Sequence, residues 1–180
     1  TVHLCGIQFL FEHTLQRTWP TLSLVRAPRK QKLPVVLSQE EVHRILSCLH
    51  LLHHRVCLST IYSCGLRIAE GVSLQVANID GSRRLLHIRN GKGSKDRYVP
   101  LPERTLALLR RLWRQHRHPT WLFPASLSQR GRSATKSQTI THRSVQRAFK
   151  AALAQSRVNK KARVHTLRHS YSTNLLYAGI

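Results

Sequence analysis

The run Arg84-Leu85-Leu86-His87-Ile88-Arg89-Asn90-Gly91-Lys92-Gly93-Ser94-Lys95-Asp96-Arg97-Tyr98-Val99-Pro100-Leu101 is where the chain changes its period. Residues 84–89 and 97–101 are extended, apolar-rich segments. The glycines between them mark a turn, so the stretch reads as a β-hairpin whose tip carries Lys92 and Lys95. Around it the apolar residues recur at helical spacing. Upstream, Ser38-Gln39-Glu40-Glu41 is a capping box, with Ser38 as N-cap and Glu41 reaching back. The helix it opens lines up Val42, Ile45, Leu46 and Leu49. A second helix is predicted from about Arg55 to Gly65, a C′ glycine, and a short one from about Leu66. Downstream, a helix from Glu103 to about His116 turns Leu106, Leu109 and Trp113 inward. Residues 125–140, rich in Ser, Arg, Gln and Thr, read as a mobile loop, and two more helices are predicted over about 144–154 and 166–178. Near the start, Leu4, Ile7, Phe11 and Leu15 keep helical spacing until Trp19-Pro20 stops them. The basic, proline-containing stretch 26–37 then reads as an extended linker. The expected fold is mainly α with one small antiparallel β-sheet or hairpin, an α+β arrangement, with its principal domain over 38–180.

Charge narrows the partner. Lys and Arg number 30 against 7 Asp and Glu, a formal net charge of +23. All seven acids lie at or before Glu103, and the sixteen Lys and Arg from Arg104 onward have none to balance them. Such a half repels itself unless it faces a polyanion, which makes nucleic acid the leading partner. Arg outnumbers Lys 22 to 8, and its planar fork suits phosphate oxygens. A high-GC genome writing Arg for Lys on a solvated face is the plainer alternative. Hydrophobic residues, at 41%, suffice for a core. No stretch reaches the roughly 20 apolar residues that span a bilayer, and the opening residues lack the basic and small-residue marks of a signal peptide. Cys5, Cys48, Cys57 and Cys64 form no C-x-x-C pair. They read as small buried apolar residues in a reducing compartment, against both a disulfide scaffold and a zinc site. The twelve histidines show no metal spacing: His53-His54 and His116-x-His118 are adjacent or i,i+2 pairs that do not converge on one helix face, so solvation accounts for them better than metal binding. Methionine is absent even at position 1, and a helical pattern runs on to the last residues. The expectation is an internal fragment of a longer protein.

Three local patterns could carry chemistry. In Gly65-Leu66-Arg67-Ile68-Ala69-Glu70 a glycine ends one helix and Arg67 falls in the first turn of the next, where backbone N–H groups also point outward. Arg67 could equally be a surface arginine paired with Glu70 three residues on. The tip Gly91-Lys92-Gly93-Ser94-Lys95 is not a Walker A loop. Its glycines let backbone approach a ligand, and its lysines could reach a phosphate or merely solvate a tight turn. In His165-Thr166-Leu167-Arg168-His169-Ser170, His165 and Arg168 stand three apart and share a helix face, so they could grip one phosphate. His169 points about 100° away from Arg168. A basic helix face lying along DNA without chemistry is the alternative.

The order of these patterns carries more than any one of them. Gly65-Leu66-Arg67-Ile68-Ala69-Glu70, then Gly91-Lys92-Gly93-Ser94-Lys95-Asp96-Arg97-Tyr98-Val99-Pro100-Leu101, then His165-Thr166-Leu167-Arg168-His169-Ser170-Tyr171 together resemble the tyrosine recombinase (phage integrase) family. The resemblance implies that residues 1–25 are the last helix of a core-binding domain, and that 38–180 are most of a catalytic domain that cuts and rejoins DNA through a 3′-phosphotyrosine. It implies that Arg67 and Arg168 clamp the scissile phosphate, that Lys92 protonates the leaving 5′ oxygen, and that His165 assists proton transfer. Glu70, Lys95 and His169 would be supporting residues. Ala69 stands where the family often has serine. Double-stranded DNA would be the partner, with assembly into a multimer on it. No metal or nucleotide cofactor and no membrane would be needed, in a cytoplasmic protein of bacterial, phage or mobile-element origin. One departure is serious: the family's nucleophilic tyrosine follows the His-x-x-Arg motif by some thirty residues, and Tyr62, Tyr98, Tyr171 and Tyr177 match no such position. The chain is therefore expected to hold the Arg, Lys, His and Arg of the site without its nucleophile. A non-catalytic basic DNA-binding module and a type IB topoisomerase-like enzyme are the alternatives.

Overall fold

The computed structural model describes residues 2–17, 33–89, 96–125 and 139–179. Lys92, Lys95, the rest of the hairpin tip, the Trp19-Pro20 stop, most of the expected linker and nearly all of the expected 125–140 loop lie outside the described residues. The chain divides into two units, Thr1–Leu33 and Pro34–Ile180. In the first, α1 (Val2–Phe9) runs into a π-helical turn, Leu10–Thr14, where one regular helix was expected. Ile7, Phe9, Leu10 and Leu15 remain largely exposed.

The second unit begins its helices at α2 (Gln39–Ser47). The capping box forms as expected: Glu41 N–H donates to Ser38 Oγ at 3.2 Å, and Ser38 N–H donates to Glu41 Oε2 at 2.8 Å. Next comes α3 (Leu52–Ser63), which buries residues on every side, among them Val56, Cys57, Leu58 and Ile61. A helix buried all round is a core helix, and α3 packs against α2 and all the later helices. It ends at Gly65, whose φ of +58° turns the chain into α4 (Ile68–Val72).

After a 3₁₀ turn at Val76–Asn78 come β1 (Ile79–Asp80), β2 (Leu85–Ile88) and β3 (Arg97–Pro100), an antiparallel sheet in the order β1-β2-β3. Leu85 pairs with Pro100 and Ile88 with Arg97, as the hairpin reading requires. β1 is an addition, too short at two residues to show a period of its own. Three further helices complete the unit: α5 (Glu103–His116), α6 (His142–Gln155) and α7 (Val164–Tyr177). Both α6 and α7 start two residues earlier than expected, because Thr141 and Thr166 supply the caps. Ser144 N–H donates to Thr141 Oγ1 at 3.1 Å, and Arg163 N–H donates to Thr166 Oγ1 at 3.0 Å. The earlier start of α7 brings His165 inside its first turn.

The histidine reading needs correction. His53 and His54 are not solvating groups: α3 begins three residues before the expected Arg55 and carries both rings into the interior. The rings lie 4.2 Å apart, His54 Nε2 meets Ser144 Oγ at 2.8 Å, and His53 Nε2 and His54 Nδ1 have no hydrogen-bond partner. His116 and His118 build the turn after α5. The His118 N–H donates to His116 Nδ1, and the Thr120 and Trp121 N–H groups donate to His118 Nδ1. Cys57 and Cys64 are buried free thiols, and burial pushes both up, Cys64 to about 11. No described helix is long and apolar enough to cross a membrane.

Candidate active site

Glu70 is the centre of the site. It stands in α4 with its side chain only 8% exposed, and such a carboxylate is costly unless donors surround it. Three elements supply them. From the residue before α4, the Arg67 N–H donates to Glu70 Oε2 at 2.8 Å and its guanidinium to Oε1 at 2.9 Å. From β3, Arg97 makes a two-pronged pair with both carboxylate oxygens, at 3.0 and 2.8 Å. From α7, Arg168 Nη1 lies 3.7 Å from Oε2 and donates instead to the Gly65 carbonyl at 2.8 Å. Burial pushes the Glu70 carboxyl up, but the Arg97 hydrogen bonds and the Arg67 N–H and guanidinium outweigh it and hold it at about 2.

One carboxylate cannot neutralise three guanidiniums, so an excess of two positive charges remains at one place. All three side chains are partly exposed, at 36% for Arg67, 32% for Arg97 and 28% for Arg168. The Arg67 and Arg168 guanidiniums are the less occupied by Glu70: Arg97 makes two hydrogen bonds to it, Arg67 one and Arg168 none. Burial, Arg67 and Arg97 all lower Arg168, with Glu70 opposing them. His165 stands exposed one turn before Arg168. Burial, His169, Arg168 and Arg67 all lower its imidazole, which favours the neutral form near pH 7. This sign of charge fits an anion bearing two or more oxygens, such as a phosphate diester.

Of the expected site residues, Arg67, Glu70, His165 and Arg168 thus meet in space, although 98 positions separate Arg67 from His165 in the chain. Arg67 is the residue just before α4, not in its first turn. The surface-pair alternative for Arg67 is also realised, and the two readings prove to be one arrangement: Glu70 holds the arginine that faces outward. His169 does not turn to Arg168; its ring meets His165 edge-on with centroids 4.5 Å apart. Lys92 and Lys95 lie outside the described residues, although β2 and β3, which bracket them, bring Arg97 to Glu70. Arg97 was missed. The available signal was its register on β3, where it shares a face with half-buried Val99 and alternates with exposed Tyr98, since a charge on the inner face of a strand calls for a carboxylate partner.

The tyrosines have other work. The Tyr171 ring lies against Gly65, where a Cβ would stand 2.5 Å from it, and burial pushes its phenol up. Tyr62 accepts a hydrogen bond from Asn174 Nδ2 at 3.1 Å, and Tyr98 stacks on His87 with ring centroids 4.6 Å apart. Tyr177 is exposed at the end of α7. Among the described residues no three His, Cys, Asp or Glu side chains group as metal ligands.

Comparison with known proteins bears on the whole arrangement. The sequence profile of the phage integrase family matches residues 35–180. An integrase/recombinase relative from Sinorhizobium fredii is 38% identical over 99% of this chain and 56% of its own length. The tyrosine recombinase XerD of Pseudomonas putida is 33% identical over 98% of this chain and 61% of its own. Among solved structures, the XerA recombinase superposes with a TM-score of 0.68 at 21% identity, over 98% of this chain and 61% of that one. The chain therefore spans a little over half the length of these relatives.

Proposed function

The chain belongs to the phage integrase family, and from that premise we propose that it is the phosphate-activating part of a site-specific DNA recombinase. The observation that carries this reading is the convergence of Arg67, Arg97 and Arg168 on one buried carboxylate, which leaves an excess of positive charge on three partly exposed guanidiniums. Arg67 and Arg168 bind the non-bridging oxygens of the scissile phosphate and stabilise the charge that grows on them as phosphorus becomes five-coordinate. A tyrosine oxygen attacks phosphorus, the bond to the 5′ oxygen breaks, and Lys92 delivers the proton which that oxygen needs. His165, neutral at physiological pH, hydrogen-bonds the phosphate and moves protons. The energy of the broken ester is kept in the 3′-phosphotyrosine, so the reaction requires no nucleotide or metal. None of Tyr62, Tyr98, Tyr171 and Tyr177 matches the family's nucleophile position, which leaves that role to a residue other than these four. The partner is duplex DNA, on which several copies assemble in a bacterial cytoplasm. Residues 1–25 close a core-binding domain and 26–37 link it to the catalytic one.

The test is covalent capture. The complete gene product, incubated with a duplex nicked next to the cleavage site so that the cut end diffuses away, should give a protein–DNA species that survives denaturation and is destroyed by protease. Tight binding with no such species would return the protein to the class of DNA-binding modules.

A further inference from the structure

The helix that carries His165 and Arg168 has a second functional face, on its far side. Around α7, Ser170 and Asn174 lie roughly 200–240° from Arg168, at about 100° per residue. Ser170 is fully buried. Its hydroxyl donates to the Thr166 carbonyl at 2.8 Å and accepts the Leu37 N–H at 2.8 Å, a contact across 133 positions of sequence. Asn174 Nδ2 approaches the Leu37 carbonyl at 3.5 Å, and the side chain of Leu37 is itself buried. Just before α7, Lys160 Nζ donates to the Val36 carbonyl at 3.0 Å and to Glu41 Oε2 at 2.7 Å. The backbone of Val36 and Leu37 is therefore held by three side chains of the α6–α7 region. These two residues follow directly on the point where the chain passes from one unit to the next.

Arg168 is the arginine for which this matters. Arg67 and Arg97 are fixed by short hydrogen bonds to Glu70, whereas Arg168 stands 3.7 Å from that carboxylate. Its position follows that of α7. On the front of the helix Arg168 donates to the Gly65 carbonyl, and Tyr171 lies against the same glycine. On the back the tie is to Leu37.

We propose that Ser170, with Asn174 and Lys160, is a positioning device that fixes Arg168 and His165 through the Val36–Leu37 strap, so that a pull on the segment leading into the domain alters the grip on the scissile phosphate. This rests on the phosphate-clamp reading above. None of the three residues touches the phosphate, and their effect is on geometry, where a displacement of about 1 Å can cost about a hundredfold.

The experiment compares binding of two nicked duplexes to this chain, identical except that one carries a 3′-phosphate at the nick and the other a 3′-hydroxyl. The unsubstituted chain should prefer the 3′-phosphate duplex, by about tenfold if the clamp contributes one charge-assisted hydrogen bond of ordinary strength. Ser170→Ala should bring the ratio to within about twofold of unity while affinity for the 3′-hydroxyl duplex holds, and Lys160→Met should lower it part of the way. Thr60→Ala, which removes a buried hydroxyl bonded to the Val56 carbonyl within α3 and to neither Val36 nor Leu37, controls for loss of stability and should keep the full ratio. A ratio unchanged in Ser170→Ala overturns the positioning role, as does a ratio lost equally in Thr60→Ala. No preference in the unsubstituted chain contradicts the phosphate clamp itself, a separate failure.

Discussion

Glu70 shows how a residue can govern a site without touching its substrate. Its carboxyl sits at about 2 in the folded protein against an ordinary 4.5, so it binds fewer protons folded than unfolded. The stability it contributes is complete above pH 4.5 and is lost as pH falls through that value toward 2. His53 and His54 act in the same direction by another route. Burial, and for His53 the neighbouring His54, lowers the imidazoles, to about 4 for His53, below the ordinary 6.5. The unfolded chain takes up protons first, so these groups cost stability as pH drops from 6.5 toward 4. Thermal unfolding followed against pH should therefore show the melting temperature falling in two stages, one starting near pH 6.5 and one near 4.5. His53→Leu should shrink the first stage, to which the lowered His54, His116 and His165 also contribute, and leave the second; a curve flat down to pH 4.5 in the unsubstituted chain would contradict the burial of the pair. Local spacing paired Arg67 with Glu70 and His165 with Arg168, but it left their chemistry open, and the roles came from the resemblance of the whole series. The burial of His53 was not legible, because it depends on α3 being enclosed on all sides, which no window of sequence states. Arg97 lay in plain view on a strand, but its partner is 27 positions away and only the sheet register joins them.

At the scale of elements, the junction of α3, α4 and α7 is fixed by Gly65 for two reasons that act together. Its φ of +58° is strained for a residue with a side chain, and an added Cβ would meet the Tyr171 ring at 2.5 Å. Gly65→Ala should cost about 1–3 kcal/mol in denaturant unfolding. It should also weaken binding of a 3′-phosphate nick beyond the loss at a 3′-hydroxyl nick, because Tyr171 and Arg168 share a helix. Alanine tolerated with no loss of stability would contradict the packing. The sequence signalled Gly65 as a helix stop but gave no sign of the ring against it. Helices were readable where one buried face imposes its period, as with Val42 and Ile45 in α2 and Leu106 and Leu109 in α5. Helix starts were less so. Ser38 announces α2 through its capping box, whereas Leu51 before α3 offers no side-chain cap and the start is set by packing alone.

For the whole molecule, charge is the dominant fact. An excess of 23 positive charges, with no acid after Glu103, predicts that the proposed binding to duplex DNA is steeply dependent on salt. If about six phosphates are neutralised, the log–log slope should be about −5, and a slope near zero between 50 and 200 mM salt, about the range over which such losses are usual, would contradict electrostatic binding. Charge alone could not separate an enzyme from a binding module. On the proposed reading the difference lies at Glu70, where three arginines share one carboxylate and an excess of positive charge remains. If that geometry serves the transition state, the planar fork matters more than the charge. The most direct measurement is therefore Arg67→Lys in the complete gene product, with DNA affinity and the cleavage rate on a nicked substrate measured side by side. The account predicts affinity within about threefold of the unsubstituted protein and cleavage slower by about a hundredfold or more; equal losses in both would make Arg67 a plain phosphate anchor and contradict it.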